Sequence, residues 1–335
     1  MQHNVLLIGV NGMLGRSLSQ VLSAQADITL HTVARNNAEY MFDLTDDHLL
    51  RTCFEEVQPT ICINAAAIVG LDLCEQDIGT AYLVNSRLPE RLAAFCRKYN
   101  AYFVQVSTDH YYYGDERKKH DEEDAVTFFN EYARTKYVGE CFALTYRNTI
   151  VLRTNIVGLR GIDSRPTFLE WLLNSLNNEE ELSLFTDFFT SSIHTRQFSK
   201  ILLDILRLHP VGVFNLASST VSSKEEFAVA LSKRIFNRVP RYREGSVASL
   251  GTKRADSLGL STMRIESLLG YHMPTLDEVI ESIADEYQEG GNRASGGCSN
   301  WPPVPMMRSG SRWVSRISTP RPMSVPQPRR LWTRI

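Results

Sequence analysis

No stretch of the 335-residue sequence approaches the ~20 consecutive apolar residues that a membrane-spanning helix needs, which argues against a membrane partner. The six cysteines, Cys53, Cys62, Cys74, Cys96, Cys141 and Cys298, form no CxxC pair. Several sit inside apolar segments, as in Ile61-Cys62-Ile63. The expectation is therefore free buried thiols in a reducing, cytoplasmic setting, with neither a disulfide framework nor a metal site. Met1-Gln2-His3-Asn4 lacks the charged start of a signal peptide and runs straight into a strand pattern. After Glu289 there is no acidic residue, but there are eight arginines. Residues 1–289 carry 28 basic and 38 acidic side chains, a net of −10, so an acidic body is followed by a basic tail. No internal repeat is visible.

What is present is an alternation. Val5–Ile8, Ile28–Val33, Tyr40–Phe42, Thr60–Ile63, Ala101–Val106 and Thr149–Leu152 read as strands. Gly12–Leu22, Asp46–Val57, Asp77–Tyr99 and Glu131–Tyr146 read as helices between them. That rhythm predicts an α/β fold: a Rossmann-type doubly wound parallel sheet covered on both faces. Residues 1–157 form the dinucleotide-binding domain. From Gly158 the rhythm loosens, with helices predicted over Thr167–Leu176, Phe198–Leu208, Lys224–Phe236 and Leu276–Tyr287. Residues 158–287 are read as a smaller, interleaved substrate lobe, with part of 190–220, notably the strand Gly212–Leu216, rejoining the main sheet. Residues 288–335 hold seven of the 13 prolines and three of the four tryptophans without periodicity. They read as a disordered basic tail or a segment foreign to the fold. A nucleic-acid-binding arm is the weaker reading, and no nucleic-acid partner is expected.

The first strand is followed by Gly9-Val10-Asn11-Gly12-Met13-Leu14-Gly15, which opens a helix. In this context Gly9 allows the sharp exit from the strand. Gly12 lets the backbone approach a pyrophosphate, and Gly15 permits close helix packing. The helix N-terminus offers its free N–H groups to the anion. At the end of the second strand stands Arg35 rather than an acid, which tilts the cofactor toward NADP(H), with NAD(H) as the alternative and a solvent-facing arginine as the bland reading. Asp43, followed by Leu44, could accept from an adenine amino group or cap the next helix. The small residues Ala65, Ala66 and Ala67 leave room for a cofactor or for tight packing.

Tyr132 and Lys136 lie one turn apart on one helix face. An unperturbed phenol is a poor proton donor at neutral pH. An ammonium nearby would lower its pKa and let the pair trade a proton with a carbonyl oxygen. Lys136 could also bond the cofactor ribose. Thr108, in Val106-Ser107-Thr108-Asp109, closes a strand at its carboxyl end and could polarise the same carbonyl. Taken singly, each of these patterns also fits an ordinary surface helix or turn.

The ordered series does more. Gly9–Arg16, Asp43–Asp46, Ile63–Ala67, Val84-Asn85-Ser86-Arg87-Leu88-Pro89, Val106–Asp109, Tyr132–Glu140 and Leu152-Arg153-Thr154 resemble the extended short-chain dehydrogenase/reductases, and within them the dTDP-4-dehydrorhamnose reductase group. Weaker matches follow at Phe214–Ala217 and Arg254–Pro274. The resemblance spans residues 4–287. It implies NAD(P)H-dependent reduction of a 4-keto-6-deoxy sugar nucleotide, in nucleotide-sugar and polysaccharide biosynthesis. Thr108, Tyr132 and Lys136 would be the catalytic set. Asn85 and Ser107 would join the cofactor site, and His110, Asn155 and Arg254 the substrate site. A homodimer fits the same reading. His110-Tyr111-Tyr112 and Asn155-Ile156 stand where the family carries Tyr-Val-Phe and a tryptophan, so the departures fall on the substrate side. Two alternatives share the fold: a non-catalytic NADP-binding subunit resembling the methionine adenosyltransferase regulatory subunit, and a nucleotide-sugar epimerase. The glutamate of the related 4,6-dehydratases, which follows Thr-Asp, is absent.

Overall fold

Val5, Leu6, Leu7 and Ile8 are all fully buried, which a strand achieves only when both faces of its sheet are covered. They form β1 (His3–Ile8). The computed structural model describes residues 2–161 and 166–295. After β1 come α1 (Met13–Ser23), β2 (Ile28–Ala34), β3 (Tyr40–Met41), α2 (Asp47–Val57) and β4 (Ile61–Asn64). Next are α3 (Leu71–Gln76), α4 (Ile78–Tyr82), a π-helical turn (Leu83–Arg87), α5 (Leu88–Tyr99), β5 (Tyr102–Val106), α6 (Glu131–Ala143) and β6 (Thr149–Arg153). The second half continues with β7 (Ile156–Val157), α7 (Phe168–Asn177), β8 (Leu182–Phe185), β9 (Phe189–Thr190), β10 (Ile193–His194), α8 (Thr195–Leu208) and β11 (Gly212–Asn215). It ends with β12 (Ser222–Ser223), α9 (Lys224–Phe236), β13 (Tyr242–Gly245), β14 (Ser257–Leu258), α10 (Met263–Leu269) and α11 (Leu276–Ser295).

Seven strands form one sheet in the order β11-β6-β5-β4-β1-β2-β3, and every pair in it is parallel. The chain builds outward from β1 to β3, then returns to the other side of β1 with β4. The gap between β1 and β4 is therefore the switch point where such sheets bind ligands. Strand periodicity sorts the two cores. Val5 and Leu7 face a cluster with Leu14, Leu18, Phe198 and Leu202, whereas Leu6 and Ile8 face Leu50, Phe54, Leu92 and Phe103. A third cluster, with Leu169, Leu172, Leu182, Phe227 and Ile283, fills the second lobe.

The structure departs from the sequence pattern in three places. The stretch Asp77–Tyr99 is not one regular helix: Asp77 caps α4 by accepting from Thr80 N at 2.9 Å, and a π-helical turn interrupts it before α5. The short α3 and the paired strands β8 to β10 and β12 to β14 carry too few residues to show a period. Finally, α11 continues to Ser295, past the point at which the basic tail was expected to begin. Residues 296–335 of that tail lie outside the described residues. Among the described residues, no helix is long and apolar enough to cross a membrane.

Candidate active site

The glycine turn is shaped by contacts that admit no side chain at two of its three glycines. Gly9 has φ +88°, and a Cβ there would lie 2.8 Å from Ala66 N. A Cβ on Gly15 would lie 2.2 Å from Gly9 O and 2.8 Å from Val10 Cα, so Gly15 packs on the turn itself rather than on the sheet. Gly12 differs: a Cβ there would meet only Gly9 O, at 3.3 Å. Gly12 is the N-cap of α1, with no side-chain cap bond and no acidic residue in the first turn. By contrast, Asp46, Asn130, Thr167 and Ser223 cap α2, α6, α7 and α9 with their own side chains. The start of α1, with half-buried Met13 and buried Leu14, keeps its N–H groups and the positive end of its dipole for an outside anion. This cradle fits a dinucleotide diphosphate.

The other expected cofactor residues divide into two sets. Ala65, Ala66 and Ala67 follow β4 and are half-buried beside the turn, with Ala65 N donating to Ile8 O at 3.0 Å. Asn11 Nδ2 donates to Asn36 O and to Asn36 Oδ1, bracing the turn against the β2 end where Arg35 is exposed. Asp43 Oδ1 accepts from Thr45 N at 2.9 Å and from its hydroxyl at 2.7 Å, which holds the Asp43 carboxyl below its ordinary value. The cap of α2 is Asp46, not Asp43, and half-buried Leu44 lies between them. Asn85 and Ser107 are both buried, and their side chains are hydrogen-bonded within the protein. Asn85 Oδ1 accepts from Ile68 N, and its Nδ2 donates to Ile68 O and Thr135 Oγ1. Ser107 Oγ donates to Glu140 Oε1 at 2.5 Å. Both brace the frame of the site.

Thr108, Tyr132 and Lys136 are brought together at the carboxyl end of β5, all three buried. Asn130 caps α6 by accepting from Ala133 N at 2.9 Å, which fixes where Tyr132 leaves the first turn. Burial pushes the Tyr132 phenol above its ordinary value, and the Thr108 hydroxyl is the neighbour that lowers it. The expectation that Lys136 performs that lowering is not what the structure shows: Lys136 Nζ donates to Val106 O at 2.8 Å. Burial lowers Lys136 to about 8, with Glu140 opposing.

The substrate side carries the departures. The His110 ring stands edge-on to Tyr132, with centroids 5.4 Å apart, and its Nδ1 is buried without a partner. Burial lowers His110 to about 4, and the charges of Arg254 and Lys224 add to this, so the imidazole is neutral at pH 7. Half-buried Arg254 donates Nε to Thr252 O at 3.3 Å. Asn155, on the expected substrate side, donates Nδ2 to Asp109 Oδ2 at 2.8 Å and accepts from Ser192 Oγ at 2.6 Å. Asp109 is 1% exposed, and burial raises it to about 7. Lys224 escaped the sequence reading. Its one signal was a cation at the first position of a helix whose cap, Ser223, begins an S-x-x-E box.

The comparisons with known proteins bear on the family and the fold. Residues 3–289 match the family described as RmlD substrate binding domain. The chain is 28% identical over 228 residues to the spore coat polysaccharide biosynthesis protein SpsK of Bacillus subtilis, covering 68% of this chain and 77% of that protein. It is 24% identical to a dTDP-4-dehydrorhamnose reductase of Aggregatibacter actinomycetemcomitans, covering 83% of this chain and 97% of the relative. The crystal structure of a dTDP-4-dehydrorhamnose reductase from Bacillus anthracis in complex with NADP superposes with a TM-score of 0.76 at 22% identity, covering 85% of this chain and all of that one. A Rossmann-type sheet, a glycine cradle at its switch point and a family match over nearly the whole described chain lead to one assignment: the protein belongs to the RmlD substrate-binding domain family, within the extended short-chain dehydrogenase/reductases.

Proposed function

We propose that the protein reduces the ketone of a 4-keto-6-deoxy sugar nucleotide, with NADP(H) preferred to NAD(H). The observation that carries this reading is the convergence of Thr108, Tyr132 and Lys136 at the carboxyl end of β5, on the same edge of the parallel sheet as the glycine turn after β1. The names of the relatives, dTDP-4-dehydrorhamnose reductase and spore coat polysaccharide biosynthesis protein, support the substrate class and a place in glycan synthesis. Gly12 and the open start of α1 would hold the diphosphate, and Arg35 would meet a 2′-phosphate.

A bound nicotinamide supplies the hydride. The protein supplies the rest. Thr108 and Tyr132 hydroxyls orient the carbonyl oxygen. As the new C–H bond forms, the Tyr132 O–H bond breaks and its proton passes to that oxygen, giving the alcohol and a phenolate that solvent reprotonates. Burial keeps Tyr132 protonated until an alkoxide, a far stronger base than phenolate, develops against it. Lys136 Nζ, held by Val106 O, would use its remaining N–H donors to bond the cofactor ribose.

The test is NADPH oxidation by the purified protein with dTDP-4-dehydrorhamnose. Tyr132→Phe should lower kcat by roughly 10²- to 10⁴-fold while NADPH still binds. Cofactor binding with no turnover of any sugar nucleotide overturns the enzyme reading in favour of a regulatory subunit. Equal turnover by Tyr132→Phe overturns the mechanism.

A further inference from the structure

A directed run of hydrogen bonds joins the catalytic strand end to the second lobe. Lys224 Nζ donates to Thr190 Oγ1 at 3.3 Å, Thr190 and Ser192 hydroxyls lie 3.1 Å apart, Ser192 Oγ donates to Asn155 Oδ1 at 2.6 Å, and Asn155 Nδ2 donates to Asp109 Oδ2 at 2.8 Å. Because the Ser192 hydrogen goes to Asn155, Thr190 must be the donor between the two hydroxyls. Every donor then points from the ammonium toward the carboxylate.

Both ends keep capacity. An ammonium has three N–H donors, and Lys224 gives one to Thr190. Asp109 Oδ1 has the Thr108 hydroxyl at 3.5 Å, long for an O–H···O bond, and His110 Nε2 at 4.0 Å. The two charges act on one another without a direct ion pair. Lys224 is also misplaced for stability. It is half-buried at the first position of α9, at the positive end of the helix dipole, where an acid is favoured, and burial lowers it to about 8. Phe168 and Phe188 lie 4.9 and 5.6 Å from its ammonium. These cation–π contacts offset part of the cost, and a cation still held against burial and the dipole is the kind of local conflict that marks a ligand site.

We propose that Lys224 and Asp109 together read a hydroxyl on the ring carbon next to the carbonyl that is reduced. The hydroxyl oxygen accepts from Lys224 Nζ, and its hydrogen goes to Asp109 Oδ1. A hydroxyl is the substituent that serves a donor and an acceptor at once, whereas hydrogen or methyl leaves both buried groups unmatched. Asp109 Oδ1 lies 3.5 Å from the Thr108 hydroxyl that would hold the carbonyl oxygen, so the position read is the neighbour of the reacting carbon. This inference rests on the ketone reduction proposed above.

The experiment compares kcat/KM for dTDP-4-dehydrorhamnose and its 3-deoxy counterpart, with Tm followed for each variant. The protein should favour the hydroxylated substrate by roughly 10- to 100-fold, the range of hydrogen bonds to charged groups. In Lys224→Met that ratio should fall toward one, and Lys224→Arg should restore part of it. Equal rates on both substrates overturn the inference while leaving the reductase reading intact. So does a Lys224→Met variant that loses Tm or overall rate yet keeps the ratio, since that is the mark of a structural clamp. Reduction of neither substrate removes the ketoreductase reading and this inference with it.

Discussion

Arg153 Nη2 donates to Glu140 Oε2 at 2.9 Å inside the protein, the two side chains being 5% and 2% exposed. Glu140 also accepts from the Ser107 and Tyr111 hydroxyls at 2.5 and 2.8 Å. The carboxylate is thus fully surrounded by donors and ties α6 to the ends of β5 and β6. Removing one partner of such a pair leaves an uncompensated buried charge. Arg153→Leu should lose about 3–5 kcal/mol, read as a lower urea midpoint. A change under about 1 kcal/mol would mean that the pair does not hold the frame.

The glycine turn separates folding from binding. Gly15→Ala cannot be accommodated without moving the turn, because the nearest atoms at 2.2 and 2.8 Å are backbone. It should lower Tm and abolish NADPH binding together. Gly12→Ala meets one atom at 3.3 Å and should fold with little loss of Tm, while NADPH affinity, followed by fluorescence titration, falls at least tenfold on the order of one lost backbone contact. Undiminished affinity in Gly12→Ala would remove the diphosphate from this turn.

Lys136 gives a signed pH dependence. Burial lowers it from 10.5 to about 8, so between those values the unfolded chain binds the extra proton. Its contribution to stability therefore rises with pH across that window, and below pH 8 the penalty of a buried ammonium is present in full. Urea titrations of wild type and Lys136→Met should show a stability difference that moves in favour of wild type from pH 8 to 10.5. A difference that stays flat would contradict the burial effect.

Arg35 is exposed at the end of β2 and contributes little to the fold. Arg35→Ala should weaken NADPH by about tenfold, the value of one hydrogen bond to a charged group, and lower the ratio of NADPH to NADH affinity. An unchanged ratio would move the choice between cofactors to another residue.

The main sheet was legible because all of its strands but the two-residue β3 run to four or more residues, and most of them alternate with helices long enough to show their own period. The site was legible where one residue type carries one chemistry, as with Gly9, Tyr132 and Thr108. It was obscure where contacts decide. Asn85 and Ser107 have side chains suited to a ligand, and only the fold shows the buried partners they bond. Asn155 orients Asp109 for the same reason. Lys224 lies far from Asp109 in the chain, and only the fold brings their charges into reach. The two-residue strands of the second lobe lie below the length at which any period exists.

The π-helical turn before α5 has a further consequence. It lets the Asn85 carbonyl approach α6 so closely that a Cβ on Gly139 would lie 2.1 Å from it, while the Asn85 amide grips the loop at Ile68. The loop bordering the cradle and the helix that carries Tyr132 are therefore riveted into one body. Distance between the cradle and the proton donor is set by backbone, and variation at the substrate wall can proceed without retuning it.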